Sequence, residues 1–274
     1  MVFLAVLLAL GGVQLFGKHP LGSRWIGQVF SQAASAPSPW LGFLVCVFGP
    51  SVLVALLYQW LEAHLWLLAL PFAAAVLWLS MGGTAHKLAV EAYINAGRAD
   101  DWEKAVQAYQ LLNPLEPSIA EGDWPALNKA VLAQAAYQEF AHVFAVLFWF
   151  ALCGPAGALG YRLGCFYLRL KAWPLLEKSI WLLEWLPVRL LGLSFAFTGN
   201  FLSCLHQWRA CVFCRVRSTA QIVTDFMLAA LGVSERANQG LDITRRELSA
   251  MGRLFRRSLW FWVGVLALAA LRGW

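Results

Sequence analysis

The stretch EFAHVFAVLFWFALCGPAGALGYR, Glu139 to Arg162, decides how the chain is read. Its apolar core of roughly twenty residues is long enough to cross a bilayer as a helix. Glu139 and His142 stand at one end and Tyr161-Arg162 at the other, with Gly154-Pro155-Ala156-Gly157 in the second half. Such a helix is costly to hold in water and natural in lipid.

Composition agrees. The 274 residues are 60% hydrophobic and 13% charged, which is outside the range of soluble domains. Mean hydropathy is +0.62. Fifteen Trp and eighteen Phe suit a protein with two lipid interfaces to anchor. The expected class is all-α: a polytopic membrane helical bundle with amphipathic and cytoplasmic helices, its surface partner the lipid bilayer. A pI near 9.1 follows from the gathering of Lys and Arg in cytoplasmic loops. No nucleic-acid motif accompanies the charge, so no nucleic acid is expected. The six cysteines do not form a secreted-type framework. Cys46 and Cys153 lie inside apolar runs, and the cluster of Cys204, Cys211 and Cys214 beside a basic loop argues for a reducing compartment.

Outward from the central stretch, the chain divides into five parts. Residues 1–80 read as N-terminal membrane helices, about three spans. The first, MVFLAVLLALGGVQLF, lacks a positive n-region and is taken as a retained short helix. Trp40–Leu61 and Leu65–Leu79 form a hairpin turned at Glu62-Ala63-His64. Residues 81–139 are a polar helical segment with eight acidic and four basic side chains. Asp100-Asp101-Trp102-Glu103 offers it a capping box, and Ser118 or Asp123 caps the helix leading into the central span. The spacing of Ala85, Tyr93, Gly97, Ala105 and Tyr109 is that of one tetratricopeptide pair. A stable array needs about three, so a single helical hairpin is expected. Residues 140–205 hold the central membrane helices, with an interfacial amphipathic helix over 163–185 broken at Pro174 and a span at Leu186–Leu205. Residues 206–257 form a basic helical segment, and 258–274 a final membrane helix. Placing the loops 17–39, 81–139 and 203–257 inside gathers fifteen of the twenty-one Lys and Arg there, which favours both termini outside.

Ionisable groups at membrane depth are expensive and stand as candidate sites. Glu139 and His142, three apart, share a helix face and could meet a cationic ligand. They also suit a helix end whose side chains snorkel to water. Tyr161-Arg162 complements a helix C-terminus. Arg189, just after Pro187, needs an anion, and Glu184 is a plausible structural partner. Asn200 and His19 complete the candidate ligand-binding set. Gly154, Gly157 and Gly160 leave a smooth strip for close helix packing, and Pro155 kinks the span. Cys204, His206, Cys211 and Cys214 are weak zinc candidates: the spacing is non-standard and all four lie within eleven residues. No metal and no cofactor is expected. Phosphate loops, dinucleotide fingerprints, HExxH and GxSxG are absent from the sequence.

The stretches FAVLFWFALCGPAGALGYRL and EWLPVRLLGLSFAFTGNF resemble the AmpE family, inner-membrane proteins of Gram-negative bacteria paired with the amidase AmpD. The resemblance extends over the apolar N-terminus, the helices at 40–80 and the final span. It implies a multi-pass protein of the inner membrane with a signalling or regulatory role, tied to β-lactamase induction and cell-wall recycling. That role is a non-catalytic sensor or modulator whose partner is a muropeptide or nucleotide ligand, another protein, or a second copy of the chain. AmpE is in turn similar to CobD/CbiB, ATP-dependent amide-forming enzymes of cobalamin synthesis. On that pattern Glu139 matches a Glu-Asn-Thr glutamate, Tyr161-Arg162 a Tyr-Arg, Pro187-Val188-Arg189 a Pro-Ala-Arg, and His19-Pro20 an N-terminal His-Pro. Phe140-Ala141 replaces Asn-Thr, however, and Leu163-Gly164-Cys165-Phe166 replaces the Asn- and Asp-bearing run. A shared fold without the ligase chemistry, and hence ATP and magnesium only under the alternative, is what these departures imply. On this reading Glu139, Arg162 and Arg189 line one polar cavity.

Overall fold

The computed structural model describes residues 2–15, 39–81, 85–113, 119–170, 173–211, 217–232 and 241–272. Every regular element among them is a helix. In chain order these are α1 (Val2–Leu15), α2 (Pro39–Phe43), α3 (Gly49–His64), α4 (Trp66–Ser80), α5 (Ala85–Arg98) and α6 (Trp102–Leu112). They continue as α7 (Trp124–Glu139), α8 (Ala145–Leu170), α9 (Pro174–Thr198), α10 (Phe201–Cys211), α11 (Thr219–Leu231) and α12 (Leu241–Leu271). Two single π-helical turns, Leu44–Phe48 and Phe140–Phe144, join α2 to α3 and α7 to α8. Among the described residues four helices are long and apolar enough to cross a membrane: Trp40–His64, Trp124–Leu168, Pro174–Thr198 and Arg246–Leu271. The chain is therefore a membrane protein with an all-α fold. α1 and α4 are apolar but shorter, 14 and 15 residues.

The chain divides into two compact units, each discontinuous in sequence. The first comprises residues 1–83, 142–184 and 263–274. Small side chains decide its packing. Ala5, Val6 and Ala9 of α1 and Ala69, Ala73 and Leu77 of α4 are buried, so α1 lies close against α4. α4 also packs on α8, and so does α3. Gly160 lies on that α3–α8 contact, since a Cβ there would stand 3.0 Å from Ser51 Oγ. One of the three glycines of the expected smooth strip thus has a partner helix. At its far end, Cys46, Val47, Leu163, Tyr167, Leu176 and Ile180 form a core roofed by Phe43 and Trp173. α3 buries no residue; Leu53, Leu56, Leu57 and Trp60 all face outward, as a lipid-facing helix requires.

The helix α8 is broken in its middle. Gly154 has φ 66° and ψ −159°, a conformation essentially closed to residues with a Cβ. The kink read from Pro155 is present and centred one residue earlier. Proline rejects a helical residue before it, and glycine is the residue that can leave the helix there.

The second unit comprises residues 84–141 and 185–262. α5 and α6 form the expected hairpin and rest on α7. Ala89, Tyr93, Ala96, Ala105, Ala108, Tyr109, Leu112, Leu127 and Val131 are its core. The cap of α6 is Asp101, whose carboxylate accepts from Lys104 N. Because the cap is Asp101 and not Asp100, the residue three further on is Lys104, and the expected Asp–Glu box does not form. Asp123 caps α7 through Ala126 N, while Ser118 lies outside the described residues. α11 has a full capping box, Ser218 with Gln221, which the sequence reading did not pick out.

The second half of the chain departs from the expected helix bounds. The chain does break before Pro174, but the flanking residues belong to long helices, α8 and α9. Pro174 is the first residue of α9, where a missing N–H costs nothing. The expected span at Leu186–Leu205 therefore shifts to Pro174–Thr198. It ends before Gly199, where the backbone of α11 leaves no room for a side chain: a Cβ there would meet Ala230 O at 2.6 Å. Phe195 packs edge-on against Phe255 with ring centroids 5.0 Å apart. Thr198 Oγ1 and Ser258 Oγ, 3.0 Å apart, share a hydrogen bond.

Candidate functional site

Glu139 ends α7. Its Oε1 takes a hydrogen bond from His86 Nε2 at 3.2 Å and an ion pair from Lys87 Nζ at 3.3 Å, both on α5. The carboxylate and the imidazole are largely buried while Lys87 is half exposed. Two consecutive residues at the start of α5 thus hold the end of α7. Sequence reasoning missed both partners, because 53 residues separate His86 from Glu139 and nothing local pairs them. A second polar link ties the same helices: Tyr93 Oη donates to Asn128 Oδ1, both side chains being fully buried. Burial drives the Tyr93 phenol well above its ordinary pKa, so it stays a donor.

Arg189 is 4% exposed. Its Nη1 donates to Trp185 O at 3.1 Å and its Nη2 to Cys211 O at 3.3 Å. The guanidinium lies over the Trp185 ring, 4.8 Å from the centroid. Trp208 Nε1 returns a bond to Arg189 O at 3.0 Å. The arginine therefore ties α9 to the C-terminal turn of α10, whose carbonyls have no intrahelical donor. Asn200 caps α10: its Oδ1 accepts from Ser203 N at 3.3 Å, and its own N–H donates to Ala230 O at 2.8 Å.

Glu139, Asn200 and Arg189 belong to the second unit, and His142, Tyr161 and Arg162 to the first. In the first unit His142 and Tyr161 are buried and Arg162 is partly so. Tyr161 Oη donates to Glu184 Oε1 at 2.9 Å. His19 lies outside the described residues.

Of the four zinc candidates, Cys204, His206 and Cys211 lie on α10. Cys204 is buried and its thiol donates to Gly192 O at 3.4 Å; burial raises its pKa to about 11, which holds it in the non-ligating thiol form. Cys211 is buried too, whereas His206 is exposed. Cys214 lies outside the described residues. Among the described residues no group of three His, Cys, Asp or Glu could hold a metal ion.

The chain matches the family model described as "Regulatory signalling modulator protein AmpE" over residues 1–253. It belongs to the AmpE family. That match takes in every candidate residue above, from His19 to Cys214. It supports a regulatory role and accords with a membrane protein. Neither the curated proteins nor the solved structures contain a match to the chain.

Proposed function

We propose that this AmpE-family protein is a non-catalytic sensor or modulator of the bacterial inner membrane, linked to β-lactamase induction and cell-wall recycling. The family match over residues 1–253 carries the reading. The local geometry supports it. Arg189 is spent on two carbonyls and a Trp face, and Glu139 on His86 and Lys87. A phosphoryl- or amide-transfer enzyme needs such groups aimed at substrate. A modulator needs only a ligand or partner that binds one of its states better than another.

The test has two arms. In cells, β-lactamase activity after an inducer is compared with the chain present and deleted; an unchanged induction ratio counts against the link. In detergent, native mass spectrometry of the purified chain is run with anhydromuropeptide and separately with ATP, magnesium and cobyric acid. Muropeptide retained without nucleotide supports a sensor of wall turnover. Nucleotide binding with turnover replaces the sensor by a ligase.

A further inference from the structure

The second half of the long helix α12 changes character abruptly. Arg246, Arg253, Arg256 and Arg257 are exposed, and none has a hydrogen bond or ion pair among the described residues. At 3.6 residues per turn, Arg253, Arg256, Arg257 and Trp260 fall in a sector of about 100°. The opposite face, Leu248, Met251, Leu254, Phe255 and Ser258, is buried. Directly beyond the arginines the same outward sector becomes apolar. Trp260 is 59% exposed, and Phe261 stacks on Phe197 with centroids 5.4 Å apart.

The length of the span makes this boundary unusual. The uncharged run Ser258–Leu271 has 14 residues, about 21 Å of helix, against a hydrocarbon core of about 30 Å. Eighteen residues counted back from Leu271 reach Leu254 and take in both Arg256 and Arg257. Crossing the bilayer therefore draws these two guanidinium groups to the edge of the hydrocarbon, with Arg253 one turn further out. An arginine there cannot shed its charge and snorkels toward the headgroups. The oxygens of a phosphate match its planar fork. Among the described residues no carboxylate pairs with these three arginines, and the headgroup phosphates are the anions at that depth.

The geometry points to a binding site for an anionic phospholipid on the second unit, its phosphate held by Arg253, Arg256 and Arg257 and its glycerol region against Trp260. Arg246, seven residues before Arg253 and about 10 Å further along the helix, lies beyond the headgroup layer and outside the site.

The test uses the purified full chain in uncharged detergent, titrated with an equimolar mixture of phosphatidylglycerol and phosphatidylcholine and read by native mass spectrometry. The wild type retains phosphatidylglycerol at least tenfold over phosphatidylcholine. The triple variant R253Q/R256Q/R257Q brings the two within about twofold, while R246Q keeps the wild-type preference; each of the three exposed arginines contributes about twofold or more. The corresponding triple lysine variant retains part of the preference, because charge remains and the fork is lost. Equal retention of both lipids by the wild type overturns the site and leaves an acidic protein segment as the partner of these arginines. An undiminished preference in the triple glutamine variant overturns it as well. Should that variant not give monodisperse protein, R256Q and R257Q are measured singly, and a loss below twofold in both is the refuting result.

Discussion

Arg189 discriminates between a structural and a ligand-binding arginine, and two substitutions separate them. In Arg189→Met the apolar stem still covers Trp185, and Trp185 O keeps the helical N–H of residue 189 as its donor. The loss falls on the bond to Cys211 O in the last turn of α10. Losing a hydrogen bond from a charged donor costs about 1.5–3 kcal/mol. Removing a buried guanidinium offsets part of it, because a desolvated charge is itself unfavourable. The net expectation is about 1–2 kcal/mol. In Arg189→Lys the charge stays buried, more strongly hydrated than before, on a side chain that cannot reach carbonyls on two helices at once. That variant loses about 3 kcal/mol.

With roughly 2–4 °C of melting temperature per kcal/mol for a unit of this size, methionine lowers the midpoint by about 2–8 °C. Lysine lowers it by about 6–12 °C. The assay is thermal unfolding of the detergent-purified chain, followed by size-exclusion chromatography of heated samples. The order is the decisive result: wild type above methionine above lysine. An arginine waiting for an anionic ligand would tolerate lysine better than methionine. If lysine melts at or above methionine, the internal-tie account of Arg189 is wrong.

Four further expectations are independent of it. Gly154→Ala places a Cβ at φ 66° and should destabilise by about 1–3 kcal/mol, whereas Pro155→Ala, which keeps that glycine, should cost less; equal midpoints would show that the break does not depend on Gly154. A membrane-permeant maleimide at neutral pH should modify exposed Cys153 before buried Cys204. The thiol pKa of Cys204 is raised from 9.0 to about 11 in the fold, so its contribution to stability is intact below pH 9 and lost as pH rises through 11. The alkaline decline should flatten in Cys204→Ala, and an unchanged profile would count against it. The Asp101 carboxyl is held below the usual carboxylate range by hydrogen bonds from Lys104. Its support of α6 is present above the unfolded pKa and fades as pH falls through the folded one. Asp101→Asn keeps a capping oxygen and should remove that acid dependence from helicity monitored by circular dichroism.

How much of this was legible in the sequence follows from the range of each interaction. The helical class and the central span are properties of composition and of runs of about twenty residues, and they read directly. So do signals contained in one turn: Asp123 before Trp124-Pro125, and the glycine-proline step at 154–155. Asp101 shows the margin, where a one-residue shift of the cap exchanges Glu103 for Lys104 at the third position. The bounds of α9 were misplaced because hydropathy alone favours starting after Trp185. What requires a glycine at 199 is the approach of Ala230, a contact across 31 positions that no local pattern carries. The same holds for the partners of the candidate residues. Cys211 comes 22 residues after Arg189 and His86 comes 53 before Glu139; charge alone marked Arg189 and Glu139 as needing a partner and could not say which.

The two candidates differ in what a ligand could do with them. Arg189 is enclosed, and displacing it breaks its bond to Cys211 O and unstacks the Trp185 indole, so any molecule competing for it must first disrupt the tie between α9 and α10. Glu139 is held by a half-exposed lysine and a histidine. Lys87 is the exposed partner and can swing into water while His86 Nε2 still bonds the carboxylate. A ligand amine or amide reaching Glu139 therefore replaces an interaction of similar strength, and the difference between bound and free states stays small enough to be reversed when the ligand leaves. Regulation requires that reversibility, since a signal is a shift between states separated by a few kcal/mol. Among the candidate residues that the structure describes with their partners, the carboxylate at the end of α7 meets that condition and the arginine on α9 does not.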